Sequence, residues 1–309
     1  MRQTGYVEKI HSRKSLKRPG SDLVFSIVNA ILLILIAVCT LVPFLDVALT
    51  SITPTKEIVK NAKALIAIPK SPTLSHYRYV LNGNGTILRA MGVTIFRTVV
   101  GTAVSLCVTV LTAYPLSKKF LPGRNILMKY FFFTMIFSAG MIPSYLVVKM
   151  FGLTDSLLAF ILPNALNVYN MIIMRTFFLG IPAELEESTR IDGCGEWKAL
   201  LKVVLPLSTP VLASIGLFYA VWHWNSFFDA VLYITDRKLW PLQTLLREIL
   251  LSTSMSELLG GSGSLSEAMP PSTAVINATI MISCIPIMAV YPFIQKYFVK
   301  GIMVGAIKG

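Results

Sequence analysis

Charge is scarce in this chain of 309 residues: Asp, Glu, Lys and Arg make up 14% of it, against 54% apolar residues. A soluble domain carries about a quarter charged residues, and a soluble core cannot hide so much apolar surface. Histidine is also rare. His11, His76 and His223 are too scattered for a metal centre or a catalytic triad. The four cysteines (Cys39, Cys107, Cys194, Cys284) form no CxxC or Cys/His spacing, and three of them lie in apolar runs as small hydrophobes. No GxxxxGK[ST] segment occurs, so the chain has no phosphate cradle of that kind. These absences exclude a disordered chain, a disulfide scaffold, most soluble enzymes and an ATPase of the P-loop type. With a mean hydropathy of +0.68, a polytopic, all-α membrane protein is left.

What is present is a series of long apolar runs. A helix needs about 20 apolar residues to cross the hydrocarbon core. The sequence predicts six transmembrane helices: Leu23 to Leu45, Ile95 to Leu116, Tyr130 to Val148, Leu157 to Met174, Val203 to Trp222, and Ala274 to Phe298. The first exceeds the roughly 7–15 residues of a signal-peptide core, so it is expected to remain as an anchor. Pro143, Pro163, Pro206, Pro210 and Pro286 interrupt the runs, which predicts kinks in a packed bundle.

The net charge of +13 is distributed between the runs. Arg2, Lys9, Arg13, Lys14, Lys17 and Arg18 precede the first run, and Lys118, Lys119, Arg124 and Lys129 crowd the short link after the second. Short basic links face the cytoplasm. This places a cytoplasmic N-terminal segment at 1–22, a six-helix domain at 23–298 and a cytoplasmic tail at 299–309, in the cell membrane. Residues 46–93 and 235–273 are then long extracellular loops.

The acidic residues concentrate in one cytoplasmic link, Arg175 to Lys202, which holds Glu184, Glu186, Glu187, Asp192 and Glu196. Pro182 suits the start of a helix, and early glutamates suit its positive end. Glu186 and Arg190 can pair at i,i+4, and Gly193 suits a left-handed cap. Leu185, Ser188, Thr189 and Asp192 share a face that is small and polar at its centre. Trp197, Leu200, Leu201 and Val204 form the apolar face of a second helix. The pattern describes a short exposed helix, an elbow and an amphipathic helix feeding the membrane, a unit able to transmit force from a cytoplasmic partner.

Glu187-Ser188-Thr189, Gly193, Val203 and Leu205-Pro206 resemble, in spacing, the EAA loop of ABC importer permeases; Ser188 and Thr189 stand where the family has two alanines. The resemblance extends over roughly residues 72–309. It takes in Ala113-Tyr114-Pro115-Leu116-Ser117-Lys118-Lys119, Ile142-Pro143, Gly152-Leu153-Thr154-Asp155, Phe178-Leu179-Gly180-Ile181-Pro182, Trp224-Asn225 and Pro241-Leu242-Gln243. The chain looks like the six-span permease subunit of type I carbohydrate importers of the maltose class, nearest to the branch for complex or acidic oligosaccharides in Gram-positive bacteria. The resemblance implies a non-catalytic transport subunit without a cofactor of its own. It implies a second homologous permease, an ATPase dimer holding ATP and Mg²⁺, an extracellular solute-binding protein and an oligosaccharide cargo. Polyamines, phosphate or amino acids are the alternative cargoes; a stand-alone secondary transporter is the alternative class.

It also implies roles. Glu184, Glu187, Ser188, Thr189, Asp192, Gly193, Leu205 and Pro206 would couple to the ATPase. Gly305, Lys308 and Gly309 of the tail would touch it. At the outer end of the fifth run, Tyr219, Trp222, His223, Trp224, Asn225 and Asp229 combine aromatic faces with hydrogen-bonding groups, which suits a sugar. Arg97, well inside the second run, reads either as a functional charge or as an anchor whose stem snorkels to water. Asn164, Asn167 and Asn170 read as bonds between neighbouring helices, with a wet cavity as the alternative.

Overall fold

A computed structural model of the protein describes residues 20–60, 68–82, 85–182, 184–185, 195–258 and 272–306. Among the described residues every regular element is helical. Helix α1 (Gly20–Ile52) is apolar around its circumference and exposes side chains on every side from Leu23 to Leu41. Two short helices follow, α2 (Thr55–Lys60) and α3 (Ser75–Asn82). Next come α4 (Thr86–Ser117), α5 (Arg124–Ile136), α6 (Met141–Met150) and α7 (Val168–Leu179). Helix α8 covers Glu196–Leu207 and α9 covers Thr209–Asn225. The chain closes with α10 (Phe228–Tyr233), α11 (Leu242–Leu258) and α12 (Ser272–Ala306).

The core is built on α4. Its buried stripe runs Ala90, Thr94, Arg97, Gly101, Ser105, Thr109 and Ala113, at helical spacing. Small residues let helices approach closely where lipid supplies no hydrophobic drive. Helix α9 uses the opening: its His223 lies against Gly101, and its Gly216 receives Leu106 of α4. Arg97 reaches Asp229, Thr109 reaches Tyr219, and Tyr114 reaches Glu196. As the numbers rise along α4 they fall along the partner, so α4 and α9 are antiparallel. Arg175 of α7 donates from Nε to the Leu116 carbonyl (2.8 Å), fixing α7 parallel to α4. The link after α4 and the flanks of the acidic segment therefore share one end of the bundle. The opposite end holds α3, α10 and the start of α11, where Val80, Ile87, Leu242, Ala278 and Ile282 pack together.

Several expected boundaries change. Among the described residues three helices are long and apolar enough to cross a membrane alone: α1, α4 and the Thr273–Val290 part of α12. The third expected span is a broken pair, α5 and α6, at 115°. Its turn contains Gly140, whose φ of +86° disfavours any side chain. The fifth is another pair, α8 and α9, at 83°. Pro210 there has no N–H for the Pro206 carbonyl, and the Thr209 hydroxyl bonds it instead (2.8 Å). The fourth is no continuous helix. A 3₁₀ turn (Leu157–Phe160) leads into irregular chain around Pro163, and only then does α7 begin, capped by the Asn167 side chain on the Asn170 N–H.

The described residues of the two expected loops are largely helical. Residues 46–93 contain the end of α1, α2, α3 and the start of α4. Ser51 and Tyr77 hydroxyls bond at 2.8 Å, and His76 donates from Nε2 to the Thr53 carbonyl at 2.9 Å. Residues 235–273 contain α11, whose first residue, Leu242, is fully buried and donates its N–H to Thr94 (2.8 Å). Apolar periodicity at its start, broken by Arg247 and Glu248, concealed a packed helix.

At the same end, Asp155 adopts φ +54° and its carboxylate accepts the N–H groups of Asp236 (2.9 Å) and Thr235 (2.5 Å). Those bonds, Asp236 first, hold its carboxyl below the usual range. The contact is thus at full strength above about pH 4 and fades as pH falls through the depressed value. Protease protection of the Tyr233–Trp240 turn should follow that acid-side profile, and Asp155→Asn should remove the pH dependence.

A β-carbon on Gly101 would lie 2.5 Å from the His223 ring. Gly101→Ala should destabilise the bundle by about 1–3 kcal/mol through overpacking. Adding His223→Ala should recover part of that loss, as read by thermal unfolding in detergent.

Candidate functional site: a cleft beside the broken fourth segment

Irregular backbone at membrane depth persists only where protein buries it or where it lines a water-filled cavity. The stretch between Ile161 and Val168 satisfies both conditions. On its inner side the Asn167 N–H donates to the Tyr219 hydroxyl (3.0 Å). With that oxygen accepting, the phenol proton is free for Thr109 Oγ1 at 2.7 Å. Tyr219 thus pins α4, α9 and the irregular segment together. On its other side the segment opens on a cleft of about 420 Å³, walled by Asn164, Asn167, Tyr169, Asn170, Tyr219 and Trp222. The alternative reading of the three asparagines as cavity-lining is the one the geometry carries, since all three face the cleft. A second, more apolar cleft of about 630 Å³ adjoins it across Phe218 and Trp222 and includes Asn225.

The six residues expected at the outer end of α9 separate into two groups. Tyr219, Trp222 and Asn225 line clefts, although the Asn225 Nδ2 already donates to the Val221 carbonyl (2.8 Å). His223, Trp224 and Asp229 are buried in helix contacts. Trp224 donates from its indole nitrogen to the Ser283 carbonyl of α12 (3.2 Å). The spacing of Tyr219, Trp222 and His223 put them on one side of the helix, but the Gly101 notch draws the His223 ring inward.

Arg97 does not snorkel. Its side chain is 0% exposed and meets the Asp229 carboxylate through both terminal nitrogens, at 2.5 and 3.3 Å. Nη1 also reaches the Ser226 carbonyl (3.2 Å), and the guanidinium lies 4.5 Å from the centre of the Phe160 ring. Ser226 and the Ala230 N–H complete the carboxylate's partners at 3.0 Å each. Sequence reasoning missed this pair; the available signal was that Arg97 and Asp229 were the two charges without a place in the topology.

At the other end, α8 begins with Glu196, which accepts the Tyr114 hydroxyl proton at 3.0 Å. Its expected apolar face is divided. Leu200 and Val204 enter a core with Tyr114, Met174, Phe178, Val211 and Ile215. Trp197 and Leu201 stay exposed. The turn from Leu200 to Val204 is of the wide π type, so the buried stripe runs through Ala199, Leu200, Val204 and Ser208 instead. Of the expected coupling residues, Glu184 is exposed beside Pro182, Leu205 is half-buried and Pro206 is exposed. Glu187, Ser188, Thr189, Asp192 and Gly193 lie outside the described residues, as do Lys308 and Gly309; Gly305 falls within the last turns of α12.

No family model matches the chain. Protein LplC of Bacillus subtilis is 45% identical over 302 residues, covering 97% of this chain and 99% of that protein. The polygalacturonan/rhamnogalacturonan transport system permease protein YtcP of the same organism is 45% identical over 282 residues, covering 90% and 96%. A chain in the crystal structure of a bacterial ABC transporter involved in import of the acidic polysaccharide alginate superposes with a TM-score of 0.82 at 35% identity, covering 94% and 99%.

The chain belongs to the carbohydrate ABC importer permeases. It is therefore a transport subunit rather than an enzyme, and the ATPase that drives it is a separate chain. In this permease α4, α7 and α9 pack on one another, with the Arg97–Asp229 pair toward one end and the core shared with α8 toward the other.

Breaking a buried ion pair from one side strands the other charge, at about 3–5 kcal/mol, whereas replacing both members with apolar residues is often nearly neutral. Arg97→Leu should therefore lower the unfolding temperature of the purified permease strongly. The double variant Arg97→Leu/Asp229→Leu should unfold closer to the parent. Equal losses in both would show that the pair contributes no mutual compensation.

Proposed function

We propose that the chain is the six-crossing subunit of a type I importer that takes up oligosaccharides, with both termini in the cytoplasm. In this reading residues 1–22 are the cytoplasmic segment, 23–298 the membrane domain and 299–309 the tail. The observation that carries it is the amide- and aromatic-lined cleft beside α7 and α9, in a bundle whose α4, α7 and α9 share a core with α8, the helix that follows the acidic segment. The named cargoes of two similar transporters, polygalacturonan or rhamnogalacturonan in one and alginate in the other, support a glycan rather than a polyamine or phosphate.

The partners follow from the missing energy source. An ATPase dimer holding ATP and Mg²⁺ docks on residues 182–206, including Glu184, Glu187, Ser188, Thr189, Asp192 and Gly193, with the tail residues Gly305, Lys308 and Gly309 nearby. A second permease completes the pathway, and an extracellular binding protein delivers cargo at the end that carries α3, α10 and α11. Closure of the ATPases displaces the acidic segment. Leu200 and Val204 sit in the same core as Tyr114 and Phe178, so the displacement moves α4, α7 and α9 together. The cleft then changes the side to which it opens.

Gly193 is the elbow of that segment in the sequence pattern, and a left-handed cap of the kind that pattern calls for would exclude β-branched residues. In the assembled transporter, Gly193→Val should abolish stimulation of ATP hydrolysis by loaded binding protein while membrane insertion stays normal. Full stimulation in that variant would remove the residue from the coupling role.

A further inference from the structure

The chemistry of the 420 Å³ cleft goes beyond the import reading, on which this inference rests. Its volume falls within the roughly 300–1,000 Å³ typical of small-ligand sites. Asn170 is 6% exposed and lines the cleft. Its backbone N–H is taken by the Asn167 side chain, but its own carboxamide makes no hydrogen bond among the described residues. The carboxamide keeps its accessible atoms toward the cleft, so its donors and acceptor are open to a polar occupant there. Asn164 adds a second carboxamide and Asn167 the free Nδ2 of a third. Trp222 and Tyr169, 41% and 58% exposed, line the same space.

No Lys, Arg, Asp, Glu or His lines this cleft among the described residues. The one cation buried in α4, Arg97, is consumed by Asp229. We propose that the cleft is a subsite for a single pyranose unit that reads hydroxyl groups and a ring face and is blind to carboxylate charge. Carboxamides donate and accept at once, which matches the hydroxyl rim of a sugar. Aromatic faces match its apolar C–H side. A carboxylate on the same sugar finds no counter-charge here, so any selection for acidic glycans takes place elsewhere in the assembly.

The test uses the complete transporter in proteoliposomes, with its ATPases and binding protein. It is supplied with a mixed pool of neutral and uronic-acid oligosaccharides, and import is read by mass spectrometry. Asn170→Leu and the partly exposed Asn164→Ala are each compared with the parent as a ratio for every pool member, which cancels the preference of the binding protein. Both variants should lower import about tenfold, by the same factor for neutral and acidic members, with assembly and basal ATP hydrolysis unchanged. Asn164→Ala guards against a folding defect at the buried position. Unchanged import in both variants, or a loss confined to acidic members, overturns the subsite. Failure of the parent transporter to import any member overturns the oligosaccharide reading itself, a separate result from either variant outcome.

Discussion

A guanidinium buried among apolar helices is tolerable only if its charge and donors are met in place. For Arg97 the charge is met by Asp229, the two terminal nitrogens by Asp229 and Ser226, and the Phe160 ring covers the guanidinium, while Nε has no hydrogen-bond partner among the described residues; the requirement dictates much of the surrounding geometry. Asp229 can reach Arg97 only because α9 ends at Asn225 and the chain doubles back into α10. Helix α9 lies close enough because α4 carries Gly101 where the His223 ring must sit. The 3₁₀ turn that supplies Phe160 holds the irregular segment at a fixed height beside α7. Charge compensation, close helix approach and the placement of the cleft are one linked constraint.

The membrane class and the antiparallel setting of α4 and α9 were legible in the sequence because each rests on local rules: run length and basic links. The breaks were legible only as prolines. Whether Pro163 kinks a helix or dissolves it depends on Tyr219, which is distant in sequence, accepts the Asn167 N–H and is itself held by Thr109. The same limit applied to α11, whose burial depends on Thr94 accepting the Leu242 N–H.

The candidate site was half visible. Aromatic and amide residues near the outer end of the fifth run were evident, but composition alone could not divide Tyr219 and Trp222, which face the cleft, from Trp224, which holds α12. Helical spacing placed Trp197 and Leu201 in the core with Leu200 and Val204. The wide turn from Leu200 to Val204 set the buried stripe one edge further round. Pairings across the bundle, rather than periodicity along it, settled these positions.

The hydroxyl of Thr209 has one more effect. Proline breaks usually leave a loose joint, since a carbonyl loses its partner. Here Thr209 supplies that partner to Pro206, so the corner between α8 and α9 is a bracket with a set angle rather than a swivel. Helix α8 is then a stiff arm about 18 Å long. A shift of about 1 Å at its far tip, where Glu196 stands, turns α9 by about 3° about Ser208, and so small a swing is enough to reshape a wall made of single side chains.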